Sequence, residues 1–232
     1  LTSPEDLLAM DLALGGDDWV PTPHGQFLAE VLAERNLVLG RRVLEVGAGS
    51  ANHTILLLRQ GATQVVATEI SPDLLTTTRR NVEHNCPETK DRVEYRVADW
   101  LNTEGTFDVL VSNPPFCKSG QRNRRYFLDS LILDGHKRLE PGGSLVFVQS
   151  SMADLGRTLL ELDRNGYEAE VLDQREGPWR DYYLEDPTFL EEADRVEGGY
   201  RVEGGRRIET LTVLQARLRP WTPPPFAHLP GA

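Results

Sequence analysis

Apolar residues along this chain follow two alternating rhythms. Runs of five or six largely apolar residues are separated by longer stretches in which apolar positions recur every three or four residues. The first rhythm is that of buried strands and the second that of helices packed on one face. A short helix is predicted from Pro4 to Leu12, before a break at Gly15-Gly16-Asp17-Asp18. Pro21-Thr22-Pro23-His24 opens a second helix, Gly25 to Arg35, with Phe27, Leu28, Val31 and Leu32 on one face. Strands are predicted at Arg42–Val46, Gln64–Thr68, Val93–Val97, Phe107–Ser112, Ser144–Gln149, Tyr167–Leu172 and Ile208–Leu218. Between them lie helices at Asn52–Gln60, from Ser71-Pro72-Asp73 to about His84, at Tyr126–Leu139 and at Ala153–Asn165. Ser71 is a helix cap, and Pro72 and Asp73 suit a first turn.

Apolar strands alternating with helices imply a mainly parallel sheet covered on both faces. Residues 1–40 form an N-terminal helical segment, 41–219 the main domain, and 220–232 a Pro-rich tail expected to run extended. With 232 residues the chain can bury one full core. Its 39% hydrophobic and 26% charged content are ordinary for a soluble protein, and no apolar run nears the roughly 20 residues of a membrane span. The N-terminus lacks a signal-peptide pattern. Cys86 and Cys117 make no disulfide framework, and no Cys/His cluster has metal spacing, so no metal is expected and a cytoplasmic setting is. A net charge of −11 weighs against a nucleic-acid partner.

The chemistry concentrates where strands end. Asn113-Pro114-Pro115-Phe116 directly follows the fourth strand. Two successive prolines cannot continue a ladder, so the chain turns there into a rigid, extended loop. That loop offers an amide, free carbonyls and a flat aromatic face, which suit a planar group bearing N–H; taken alone it is also a turn signal. The first strand runs into Glu45-Val46-Gly47-Ala48-Gly49-Ser50-Ala51-Asn52 and then a helix, a turn that lets backbone approach a ligand at a helix N-terminus. The dinucleotide fingerprint wants a third glycine where Asn52 stands, which argues against a pyrophosphate and against a nicotinamide cofactor. The second strand ends in Glu69, placed to accept ribose hydroxyls, and the third in Ala98-Asp99-Trp100, with Asp99 placed to accept from an adenine amino group.

In this order, Glu45-x-Gly47-x-Gly49, Glu69, Asp99 and Asn113-Pro114-Pro115-Phe116 resemble the class I methyltransferases that use S-adenosylmethionine, and the tetrapeptide resembles the motif of their N-methylating branch. Arg207-Ile208-Glu209-Thr210-Leu211 looks most like the release-factor glutamine methyltransferases. Those enzymes carry a separate helical substrate domain in their bacterial members, whereas about forty residues precede the first strand here, and their motif usually ends in Tyr. A Phe ending is more familiar in enzymes that methylate guanine in ribosomal RNA. The resemblance implies an α/β, Rossmann-like fold with a seven-stranded, mostly parallel doubly wound sheet and an antiparallel last strand. It implies S-adenosylmethionine as cofactor, held by Glu45, Gly47, Gly49, Glu69, Ile70, Asp99, Trp100 and Asn113. Asn113 and Pro114 would accept hydrogen bonds from the target nitrogen, with Phe116 stacked on the acceptor plane. Thr22, His24, Pro115, Phe116, Trp179 and Tyr183 are expected on the acceptor side.

Two further stretches bear on the acceptor. Lys118, Arg122, Arg124 and Arg125 follow the motif and suit phosphates, an acidic substrate or plain solvent. Residues 177–205, between the last two strands, hold Trp179, Tyr182, Tyr183 and Phe189 among acids; they are expected to form a lid, or else a packing or dimer surface. The acidic aromatic segment and the net charge favour a small-molecule acceptor. A protein glutamine is the alternative, and RNA a further one.

Overall fold

The computed structural model describes residues 3–14, 20–116 and 123–220. The Gly15–Asp18 break, Cys117, Lys118, Arg122 and the tail from Trp221 onward lie outside the described residues. Among the described residues the elements run α1 (Pro4–Leu8), α2 (Pro23–Arg35), β1 (Arg42–Val46), α3 (Asn52–Arg59), β2 (Gln64–Glu69), α4 (Pro72–Asn85), β3 (Val93–Val97) and β4 (Phe107–Ser112). They continue through α5 (Tyr126–Asp134), β5 (Leu139–Ser150), α6 (Leu155–Arg164), β6 (Tyr167–Pro178), α7 (Pro187–Ala193), β7 (Arg201–Glu203) and β8 (Arg206–Leu218).

The sheet order is β3-β2-β1-β4-β5-β8-β6, with the short β7 paired to β8. Neighbours from β3 through β5 pair in parallel, while β8 runs antiparallel to both β5 and β6. The Rossmann-like, mostly parallel sheet is therefore present, with β7 as an eighth strand beyond the seven anticipated. The antiparallel last strand sits inside the sheet, between β5 and β6, and not at its edge.

Both faces are buried, which is why the strands read as continuous apolar runs. α1 to α4 cover one face with Phe27, Leu28, Leu32, Ile55, Leu56 and Val82. α5 and α6 cover the other with Leu128, Leu131, Ile132 and Leu162. Boundaries moved where local contacts outweigh periodicity. α1 stops at Leu8 because the following backbone is held against α4, Asp11 N donating to Asn85 Oδ1 at 3.0 Å and Ala13 N to Asn81 Oδ1 at 2.9 Å. β6 continues to Pro178 because β8 pairs with it along its whole length, through a bulge between Val171 and Asp173.

The order reverses at β1, whose two neighbours are β2 and β4. Ligands in open α/β sheets bind at such a switch point, outside the carboxyl ends of the strands. Val46 and Ser112 are the last paired residues of β1 and β4, so Gly47 and Asn113 leave the sheet side by side. Glu69 pairs with Val97 at the ends of β2 and β3, which sets Glu69 and Asp99 on the same rim.

Candidate active site

The loop after β1 is tied to β2, since Gly47 N and Ala48 N both donate to Thr68 O, at 3.1 and 3.0 Å. Gly47 has a φ of +79°, and a side chain added there would meet nothing within 4 Å, so its bare Cα faces open space above the rim. Glu69 Oε2 accepts from Gly49 N at 3.1 Å, and Oε1 from Ile70 N at 3.0 Å. Burial raises the Glu69 carboxyl above its ordinary value, the two backbone N–H groups draw it back, and the charge of Glu45 raises it again. Ile70, 63% exposed, gives this rim an apolar surface. Asp99 is exposed, and Trp100 is held at a φ of +52°, a strained setting for a bulky side chain of the kind that clusters at functional sites.

Glu45 lies beneath this rim. It is 1% exposed, receives the Thr54 hydroxyl on Oε2, and has His53 Nδ1 3.4 Å from Oε1. The other ring nitrogen of His53 donates to Gly25 O at 2.8 Å, linking the first strand's end to α2.

The residues expected on the acceptor side come together from distant parts of the chain. Thr22 caps α2, its Oγ1 accepting from Gly25 N at 3.2 Å, and the same oxygen accepts from Asn113 Nδ2 at 3.4 Å. A Cβ on Gly25 would lie 3.4 Å from Asn113 Nδ2, so glycine lets α2 come this close. With its nitrogen engaged by Thr22, Asn113 keeps Oδ1 for another partner. Pro114 is half-buried and Pro115 exposed. Phe116 packs edge-on against Phe189, centroids 6.0 Å apart at 79°.

Residues 177–205 build a small core of their own. Trp179, Tyr183, Phe189, Ala193 and Met152 are buried together, with Phe116 against them. Trp179 and Tyr183 are 8% and 2% exposed, so these two rings face one another's cluster in this structure. Arg124 pairs with Asp186 at 2.8 Å and Glu192 at 3.0 Å, fastening the segment to the stretch after the motif. Arg125 pairs with Asp129 at 2.9 Å and donates to Thr158. Both guanidinium groups are thus committed to internal carboxylates, whereas the sequence left phosphate contact open for them.

His24 is half-buried beside two residues that sequence reasoning did not place in the site, Arg180 and Glu209. Arg180 donates to His24 Nδ1, and His24 Nε2 lies 3.7 Å from Glu209 Oε2. Burial and then the Arg180 charge push His24 down to about 3. Burial pushes Glu209 up to about 7, against the opposing pull of Ser150, Arg180 and Tyr183. Glu209 lies on the same face of β8 as buried Leu211 and Val213. Nothing in local sequence pointed to Arg180.

The rim fits an adenosine-bearing sulfonium cofactor. A carboxylate at the end of β2 already collects backbone donors, a second carboxylate stands beside it, and an exposed apolar residue and an open glycine lie between. The fold and this rim define the class I, S-adenosylmethionine-dependent methyltransferases. The chain belongs to the methyltransferase small domain family, whose model matches residues 23–175. It is similar to a putative protein N5-glutamine methyltransferase of Methanocaldococcus jannaschii, at 26% identity over 61% of this chain and 79% of that one. It is 35% identical to the release factor glutamine methyltransferase of Rhodospirillum rubrum over 47% of this chain, but only 34% of that one. An rRNA N(6)-adenosine-methyltransferase of Caenorhabditis elegans is 31% identical over 48% of this chain and 53% of its own length. Among solved structures, a methyltransferase from Pyrococcus furiosus superimposes with a TM-score of 0.56 at 21% identity, covering 88% of each chain, a likeness of fold. Among the described residues no helix is long and apolar enough to cross a membrane, and no group of three His, Cys, Asp or Glu could hold a metal ion.

Proposed function

We propose that the protein transfers a methyl group from S-adenosylmethionine to the side-chain amide nitrogen of a glutamine in a protein substrate. The observation that carries this reading is the anchoring of Asn113 by Thr22, which leaves Oδ1 as an acceptor at the rim shared with the cofactor loop. The cofactor supplies an already activated methyl group, so the chain's task is to hold a poor nucleophile in line with it. Such positioning accounts for roughly 7–11 kcal/mol of barrier lowering. Asn113 Oδ1 and the Pro114 carbonyl take the two N–H groups of the amide and turn its lone pair out of conjugation. Phe116, braced by Phe189, lies along the amide plane. An oxygen nucleophile without two N–H groups leaves these acceptors unpaired and is rejected. The 177–205 segment forms the wall of the acceptor side.

The first two of these relatives, by their names, act on protein glutamine, and these comparisons do not support the small-molecule acceptor favoured by composition. RNA is the second reading, favoured by the nematode relative and opposed by the charge of −11 and the internal pairing of Arg124 and Arg125. A labelled-methyl assay offering a release-factor peptide, ribosomal RNA and a metabolite pool separates the three. Label is expected in the peptide, with a rate that changes little with salt. Label in RNA, lost steeply as salt rises, would move the reading to nucleic acid.

A further inference from the structure

Glu209 is a buried acid that the transfer chemistry above does not use. Its side chain is 2% exposed, and Oε2 has no hydrogen-bond partner. Leaving a desolvated acceptor unpaired is costly, and such groups in native folds call for an explanation. Three elements converge on this oxygen. β8 carries it, α2 brings His24, and the start of the 177–205 segment brings Arg180. A guanidinium can only donate, so the lone pair of His24 is on Nδ1 and its hydrogen on Nε2, the side facing Glu209. At 3.7 Å that approach is too long for a hydrogen bond. With Glu209 raised and His24 lowered, both are neutral near pH 6, and the contact is not an ion pair. The other groups on this carboxyl are the Ser150 and Tyr183 hydroxyls and the Arg180 charge.

The cluster stands beside the transfer site. Only β5 separates β4 from β8, and Glu209 lies two residues past Leu211, the last β8 residue paired with β5, on the side where Asn113 leaves β4. The first turn of α2 bridges the two, Thr22 touching Asn113 and His24 facing Glu209. An extended glutamine residue likewise presents two separate polar ends, its side-chain amide and its backbone N–H.

We propose that Glu209 is a specificity residue for the acceptor: with the side-chain amide on Asn113, the backbone N–H of the same glutamine donates to the unpaired Oε2 as His24 gives way. This rests on the glutamine reading. The test is a chemical double-mutant cycle, in which wild type and Glu209→Leu, each saturated with S-adenosylhomocysteine, are titrated with a glutamine peptide and with its analogue N-methylated at that glutamine's backbone. Each single change is expected to weaken peptide binding about tenfold, and both together no more than either alone. In transfer assays Glu209→Leu should raise KM with kcat and cofactor affinity little changed, and Glu209→Gln, which keeps an acceptor, should largely rescue it. Additive losses, or no loss, overturn the assignment of Glu209 while leaving the glutamine reading standing. If Glu209→Leu does not fold, equal binding of the two peptides to wild type overturns it as well. Wild type binding neither peptide removes the glutamine reading, and this assignment with it.

Discussion

The two halves of the rim are built in different ways. On the cofactor half, partners are close in sequence: Glu45 and Thr54 are 9 residues apart, and Glu69 and Gly49 are 20. Each contact there joins a strand end to the loop or helix just beyond that strand or its neighbour. On the acceptor half the separations are 91 residues for Thr22 and Asn113 and 156 for His24 and Arg180. The polar groups differ too. Both Glu69 oxygens hold backbone donors, whereas Glu209 keeps an unpaired oxygen in a buried setting. A cofactor of fixed shape can be met by one local supersecondary design, while the proposed acceptor side draws its side chains from three remote segments.

The sharpest way to break this comparison is at Asn113. Asn113→Ala should lower kcat by about 10²–10³, by analogy with removing one group that aligns a transition state, and leave cofactor affinity nearly intact. Calorimetry with S-adenosylmethionine beside steady-state kinetics checks it. A parallel loss of cofactor binding would mean that the two halves are one.

Next in size is the pH dependence of stability, which should come largely from the acceptor half. Glu209 is raised from an ordinary 4.5 to about 7, so its contribution is full below 4.5 and lost as pH climbs to 7. His24 is lowered from 6.5 to about 3, so its contribution is full above 6.5 and lost as pH falls to 3. Between 4.5 and 6.5 the two slopes, each up to about 1.4 kcal/mol per pH unit, oppose and nearly cancel. Glu209→Gln should expose the His24 slope, with stability relative to wild type rising from pH 4.5 to 6.5 in urea melts. A difference that stays flat across this window would show that the two groups are not shifted by burial.

On the cofactor half, Glu69→Ala should weaken S-adenosylmethionine at least about tenfold, since hydrogen bonds to a charged group contribute about 1.5–3 kcal/mol. Its effect on kcat at saturating cofactor should be small, and the measurement is again calorimetry. The smallest effect is expected at Thr22, where the halves are joined. Thr22→Val removes both the α2 cap, at about 1 kcal/mol of stability, and the group that orients the Asn113 amide. Thr22→Ser keeps both functions. Turnover should fall several-fold in the first variant and hardly at all in the second, with thermal melts separating the cap from the kinetic effect.

The sequence alone was enough to place the strands, the glycine turn, Glu69, Asp99 and the Asn113 motif, because each rests on local rules. Apolar runs mark buried strands, proline stops a ladder, and short acids after a strand end on the rim. Boundaries slipped where remote contacts compete, as in β6, which grows past Leu172 along β8, and α1, which ends early against α4. Only the tertiary structure decided the rest. Local periodicity carries no information on which loop will meet which, so the union of Thr22 with Asn113 and of His24 with Arg180 could not be read from spacing. The same is true of Arg124 and Arg125, basic in sequence yet neutralised by Asp186, Glu192 and Asp129 once the chain is folded. Charge along a chain is a property of residues, but the charge that a partner meets depends on which groups burial has already paired.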